Sequence, residues 1–491
     1  MSRGRLVVHG HFYQPLRIDP FSGTVPADLS AAPFENWNER VAAECYRPNA
    51  ERRNLGRMSW DLGPTLAEWL ETGDPKAYRG FIDGDRPGDR DASIPVSRGN
   101  GMAQPYHHAI AALASAADRR TEIRWGMRDF LLRFGRDAEG LWFPETAIDI
   151  ASLRIAAEEG IRYTVLAPWQ AATANLDTRR PYRVELGGGR SIVVVFYDAG
   201  LSAAVSFEPE ATADADRFAR ERIMPRLGGS FDASAGPPLV VIATDGELYG
   251  HHQAFRELFL QRLIRPGADQ PDHGFDVVDL ASAVAADPSA PFRTVRIDER
   301  TSWSCHHGVL RWSGECGCVP DGHWKAPLRL AFERLAAGID AVTVAQFGAL
   351  PGEPDPWAAR DAYIDVVLGA EPSGSFAAHW VGSKAPVEAR RTLLRLMEAQ
   401  RWRLAMFSSD GWFWDDPMRP ETRQLLRFAA RAAQLADAIA GTDLERRLIE
   451  DLTLLRSSRG GMDGAAIYRV ALQDVGQSSP AASDSDEQAS A

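Results

Sequence analysis

The chain predicts an α/β fold, a parallel strand-and-helix barrel followed by a helical region, and three observations support this. Apolar, β-branched runs alternate with segments of helical period through the first 300 residues, polar side chains fall where those runs finish, and the texture turns helical after about residue 320. Unbroken apolar strands alternating with helices indicate a parallel sheet buried on both faces. In a β/α barrel, chemistry collects at the C-terminal strand ends, because the loops there converge on one mouth. The register of polar residues along this chain fits that plan: His9 and His11, Glu145, Asp198 and Asp245 each follow a strand candidate.

The first strand, Leu6 to Val8, runs into HGHFYQP at 9–15. Alternation puts His9 and His11 on one side of the strand, where they can bond sugar hydroxyls or hold a metal. An H-x-H pair alone is also common as structural or surface histidine. The segment GNGMAQPYHHAI at 99–110 gathers turn residues with Tyr106, His107 and His108 ahead of a helical run at 110–117. Its bland reading is a loop leading into a helix.

Leu141 to Phe143 is the next strand candidate, and it delivers Glu145 in GLWFPETAID. Beside Trp142, Phe143 and Pro144 a carboxyl would be pushed up by desolvation, so a group that must stay ionised needs a histidine or arginine partner. Arg128 in GMRDF is the candidate. The alternative makes Glu145 the cap or first-turn acid of the helix at 148–160, which closes on Gly160. Strands follow at Tyr163 to Leu166, Ile192 to Phe196 and Leu239 to Ile242, with a further candidate at Phe292 to Ile297. The third of these opens TDGELYGHH, where Asp245 begins an Asp-Gly turn and His251 and His252 follow in the same loop. That density of titratable groups at one strand end favours a site over a plain turn.

Amphipathic helices are predicted over 386–406, 420–440 and 443–457, with the loop MFSSDGWFWDD at 406–416 between the first two. From about 473 to 491 the chain is rich in Ser, Ala, Asp and Gln without apolar period, which predicts a disordered tail. The expected organisation is a barrel over 1–320, a helical region over 321–472 that contributes to the cleft, and the tail 473–491.

Composition narrows the class. The chain has 491 residues, 45% hydrophobic and 25% charged, as in an ordinary globular protein. A formal net charge of −12 argues against sequence-independent nucleic-acid binding, which relies on basic surface. No run approaches the length of a membrane span, and MSRGRLVVHGHFYQP is unlike a signal peptide, so the expectation is a cytoplasmic protein without a membrane partner. Four cysteines agree with a reducing compartment.

Three of those cysteines, Cys305, Cys316 and Cys318, fall within TSWSCHHGVLRWSGECGC at 301–318, beside His306 and His307. Three Cys and one His, with His306 as the expected fourth ligand, form a known structural zinc composition. The C-x10-C-x-C spacing lacks the usual knuckle. A reversible disulfide and ordinary buried thiols are the alternatives.

Two acids from separate strand ends are what glycosidic cleavage requires: one attacks or stabilises the anomeric carbon, the other protonates the departing oxygen. Together these segments resemble glycoside hydrolase family 57. HGHFYQP is similar to the first of its five sequence regions, QPYHHAI to the second, GLWFPETAI to the third, ATDGELYGH to the fourth and SSDGWFW at 408–414 to the fifth. The first region here has Tyr13-Gln14-Pro15 rather than His-Gln-Pro, and the fifth has Gly411 between Asp410 and Trp412. The match extends to a branch of the family carrying a C-terminal domain of unknown function.

The resemblance implies an incomplete (β/α)7 barrel followed by a helical domain, and retaining action on an α-linked oligosaccharide or polysaccharide by hydrolysis or transfer. It implies Glu145 as nucleophile and Asp245 as general acid/base, with no metal needed for catalysis. His9, His11, His108, Trp142, Asp410 and Trp412 are the expected substrate-binding residues. Two rival classes stand beside it. One is a metal-dependent carbohydrate enzyme, deacetylase-like or mannosidase-like, using His9, His11, Asp245 and His251 or His252. The other is a non-catalytic carbohydrate-binding protein.

Overall fold

Strand β1 (Gly4–Phe12) is the axis of the sheet. It pairs in parallel with β2 (Ser59–Leu62) on one side and, in the register His11 opposite Asp245, with β7 (Leu239–Asp245) on the other. From β2 the sheet continues to β3 (Gly101–Met102), and single parallel bridges, Ala103 to Leu141 and Gly140 to Tyr163, carry it to β4 (Tyr163–Leu166). An outer strand, β5 (Tyr182–Gly187), forms an antiparallel hairpin with β6 (Arg190–Phe196), and β6 pairs in parallel with β4. The ring closes between the end of β6 and β7, where the Asp198 N–H donates to the Val241 carbonyl at 2.7 Å. Seven parallel strand positions surround one interior, an incomplete (β/α)7 barrel. The computed structural model describes residues 3–86, 99–228, 231, 236–265, 272–285 and 292–473.

Alternation sorts β1. Val7 enters the barrel interior with Met102, Trp142, Val165, Val195, Val241 and Ala243, whereas Leu6 and Val8 pack outward against the surrounding helices. His9 and His11 continue the inward face toward the C-terminal mouth. The strand candidates at 163–166, 192–196 and 239–242 fall within β4, β6 and β7. The segment 141–143 contributes bridges rather than a strand. The candidate at 292–297 is no barrel strand: Arg293–Thr294 pairs with β5 at the periphery, and Ile297 adds a single antiparallel bridge to Ala171.

Beyond residue 320 the chain is helical. Helices Lys325–Phe347, Val387–Ala405, Pro420–Ala440, Leu444–Leu452 and Gly464–Gln473 enclose one apolar core. That core continues into the barrel side through Tyr106, Trp125, Ala147 and Trp312. Buried Arg360 and Arg403 also tie the two parts together, since both meet Asp118 at 2.9 Å, on the helix Ala116–Phe134. No helix among the described residues is long and apolar enough to cross a membrane. The expected tail, 474–491, lies outside the described residues.

Candidate active site at the barrel mouth

Glu145 leaves the barrel on a strained turn, Pro144–Thr146, in which Glu145 has φ 58° and Thr146 φ 47°. A left-handed β-branched residue is an outlier that persists only where its surroundings over-determine it. Here buried Gln170 does so. Its Nε2 donates to the Thr146 carbonyl at 2.8 Å, and its Oε1 accepts from the Thr146 hydroxyl at 2.8 Å and the Ala167 N–H at 2.9 Å. Glu145 is not the cap of the following helix: Asp149 fills that position and accepts from the Ser152 N–H.

Nor does Arg128 partner Glu145. It lies against Asp365, with Nε donating at 2.6 Å. The Glu145 carboxylate instead receives two neutral donors on Oε2, the Ser304 hydroxyl at 2.6 Å and the Trp303 indole at 3.1 Å. Neutral donors stand where the sequence predicts a charged partner.

Asp245 ends β7. Its side chain opens to the mouth, but the protein mass around it is poor solvent for a charge. Burial raises its pKa to about 6, His11 opposes the rise, and Glu145 and Asp61 add to it. The two acids therefore lie within electrostatic reach of one another. Next to them Glu247 is buried, pushed up to about 8 by burial and by Asp245 although the Tyr46 hydroxyl donates to it at 2.6 Å.

Beneath the acids runs a polar chain anchored on Asp61 at the inner end of β2. Asp61 meets His9 Nε2 and His11 Nδ1, both at 2.7 Å, and accepts from Gln104 Nε2. Burial opposes a charge on His11, yet Asp61 outweighs it and raises His11 to about 9; His108 is driven well below its ordinary value by burial and by His11. A cationic His11 beside a neutral His108 implies one order of protons. His11 Nε2–H donates to His108 Nε2 at 3.2 Å, and His108 Nδ1–H donates to the Ser409 hydroxyl at 2.7 Å. A second strap crosses beside it: Tyr13 stacks on His108 at 3.7 Å and donates its hydroxyl to Asp410 at 2.8 Å.

The expected sugar contacts divide. His11 and Asp410 lie at the mouth, Asp410 already accepting from Tyr13 and from the Ser408 hydroxyl. His9, His108, Trp142 and Trp412 have almost no exposed surface. Trp142 is stacked under His9 and His11 at 4.8 and 5.2 Å, and Trp412 packs in the helical core against Phe332 and Trp324. Neither indole offers a face to a ring.

Aromatic surface comes from residues the motifs did not indicate. Trp303 packs edge-on to Trp142 at 5.0 Å, and Trp169, 40% exposed, meets Tyr197 and walls an open surface groove with Asn175 and Asp298. Among the described residues the metal set proposed for the rival enzyme class, with either His251 or His252, is not gathered; His251 Nδ1 instead meets Glu44 at 2.5 Å, beside Trp37. Asp198 is structural, capping the helix Ala199–Phe207 and pairing with Arg226 at 2.8 Å.

Residues 100–271 match the pattern of "Glycosyl hydrolase family 57", and residues 321–478 that of "Domain of unknown function (DUF3536)". An alpha-amylase of Pyrococcus horikoshii is 24% identical over 182 residues, 36% of this chain and 27% of that protein. One from Pyrococcus abyssi is 25% identical over 178 residues, 35% of this chain and 25% of that one. The chain thus spans about a quarter of the length of the curated relatives it matches. Among solved structures, an exo-type maltose-forming amylase from Pyrococcus sp. ST04 superposes with TM-score 0.71 at 14% identity, over 95% of this chain and 88% of that one. A branching enzyme from Thermococcus kodakaraensis gives 0.58 at 15% identity, over 95% and 96%. At such identities the likeness is one of fold.

Proposed function

We propose that this chain, which belongs to glycosyl hydrolase family 57 through residues 100–271, cleaves an α-linked glucan with retention, Glu145 acting as nucleophile and Asp245 as general acid/base. The observation that carries the reading is the paired environment of two carboxyls at one barrel mouth. One is held by two donors on a rigid turn; the other is raised to about 6 and keeps its proton in mildly acidic solution.

In the first step Glu145 attacks the anomeric carbon while Asp245 gives its proton to the departing oxygen, and a glycosyl ester forms on Glu145. In the second, ionised Asp245 takes a proton from water or from a sugar hydroxyl, whose oxygen displaces the ester. Hydrolysis or transfer results, and Asp245 regains its proton. His11, cationic below about 9, lies beside Asp245 and favours its ionised form during the second step. Trp303 and Trp169 are the candidate sugar platforms.

The helical region over 321–472 contributes to the cleft in this reading, supported by the His108–Ser409 and Tyr13–Asp410 contacts. The free thiols suit a reducing, cytoplasmic setting.

Maltoheptaose is the test substrate. Retention requires that its fresh products carry the α-configuration, and that both Glu145→Gln and Asp245→Asn lose turnover while staying folded. Longer products beside shorter ones would assign transfer. Full activity in both variants would remove the proposal.

A further inference from the structure

The loop that brings Trp303 and Ser304 to Glu145 continues at once into a cluster the proposed chemistry leaves unused. The donor atoms of Cys305, His307, Cys316 and Cys318 all lie within 4.8 Å of one another. Cys305 Sγ is 3.2 Å from Cys316 Sγ and 3.8 Å from Cys318 Sγ, while His307 Nδ1 is 3.2 Å from Cys318 Sγ and 3.3 Å from Cys316 Sγ. A tetrahedral cation with sulfur bonds of about 2.3 Å has ligand-to-ligand edges of roughly 3.8 Å. The four close separations, 3.2 to 3.8 Å, reach that edge or fall up to about 0.6 Å inside it, and the remaining pairs stay within 4.8 Å. A disulfide accounts for less: it needs sulfurs about 2.05 Å apart and would engage only two of the four groups. The histidine in the cluster is His307; His306, the ligand expected from spacing, is exposed and turned toward Trp169, ring centroids 6.1 Å apart.

Charge supplies a second, independent observation. Lys325 is fully buried and its Nζ has no hydrogen-bond partner among the described residues; the same holds for Nε and Nη1 of buried Arg311. Lys325 lies within electrostatic reach of Cys305 and Cys316. Asp415, also in reach, is taken by Arg419 and Arg459. Arg311 rests over the Phe413 ring at 4.2 Å and Lys325 over that of Trp324 at 5.6 Å, so both basic groups are buried against aromatic faces without a hydrogen-bonded anion among the described residues, an arrangement that is costly. Three thiolates around a divalent cation leave one net negative charge and supply the missing counter-charge.

We propose that Cys305, His307, Cys316 and Cys318 bind one zinc ion as a closed tetrahedral site, each thiol giving up its proton to solvent as its sulfur bonds the metal and the imidazole binding neutral through Nδ1. Thiolate-rich donor sets select zinc over hard cations. The site is structural, with no position left for substrate, and it anchors the loop whose next residues inward hold the Glu145 carboxylate. That link to Glu145 rests on the proposed glycosidase reading; the metal content does not.

The test is elemental analysis of the full chain purified without added metal. About one zinc per chain is expected, kept in His306→Ala and lost in His307→Ala and Cys318→Ala. Should those two variants fail to fold, the wild-type protein still decides. A mercurial thiol reagent releases the zinc in step with thiol modification, and exchange with cobalt produces thiolate-to-cobalt charge-transfer absorption. Negligible zinc both as purified and after refolding with zinc, or a mapped Cys305–Cys316 disulfide in the native protein, overturns the proposal. Zinc bound with glucan cleavage absent would count against the glycosidase reading alone.

Discussion

Trp303 is joined to Glu145 twice: its backbone N–H donates to the Glu145 carbonyl at 3.0 Å, and its indole donates to Oε2 at 3.1 Å. The strained turn and the carboxylate it carries are thus held from one residue of a distant loop. Removing the indole donor in Trp303→Phe deletes a bond to a charged group, worth about 1.5–3 kcal/mol. Turnover on maltooligosaccharides should fall roughly 10- to 100-fold with less change in thermal stability; an unchanged kcat would show that the indole does not orient the nucleophile.

Gln170 holds the same turn from the other side, with three bonds to Thr146 and Ala167. Gln170→Ala leaves the Thr146 carbonyl without that donor and should cost about 1–3 kcal/mol of stability, lowering kcat as well. Chemical denaturation read beside steady-state kinetics separates the two effects. Stability loss with unaltered kcat would mean the strain has no part in the chemistry.

The acid step sets the pH profile. Asp245 acts only while protonated, so kcat/KM should decline as pH rises through about 6. His11 opposes the raised value, so His11→Gln should move this limb upward by about one unit. A limb that stays in place would separate His11 from Asp245.

Glu247 gives a stability signature. Its pKa rises from the ordinary 4.5 to about 8 in the fold, so the folded state holds a proton that the unfolded chain has released. Stability from this group is complete below 4.5 and is lost as pH rises through about 8. Glu247→Gln should therefore gain on the wild type in melting temperature between about pH 5 and about pH 8. A constant difference across that range would contradict the assignment.

Trp412 separates scaffold from platform. Buried among Phe332 and Trp324, it should cost about 3–5 kcal/mol on truncation in Trp412→Ala. The folded fraction should keep its KM. A raised KM with normal stability would restore the platform role.

Much of the frame was legible in the chain. β4, β6 and β7 announce themselves because their cores are unbroken β-branched runs, and the Pro420–Ala440 helix because its apolar stripe is continuous. Short β2 was not: SWDL is four residues long, carries an aspartate and draws its stability from pairing with β1, so Asp61 went unseen. The donors to Glu145 were missed for a related reason. Trp303 and Ser304 arrive from 158 and 159 residues away in a segment conspicuous for its thiols. Trp142 and Trp412 are buried where the sequence predicts sugar contacts, because an aromatic beside an acid reads alike whether it faces ligand or core; only packing distinguishes them.

The most direct test of Glu145 as nucleophile is to trap its ester. A 5-fluoro α-glucosyl fluoride, whose electron-poor ring slows breakdown of the glycosyl-enzyme, should inactivate the protein, and peptide mass spectrometry should find one sugar adduct on Glu145. An adduct on a different carboxyl, or turnover that releases the inverted anomer, would contradict the account.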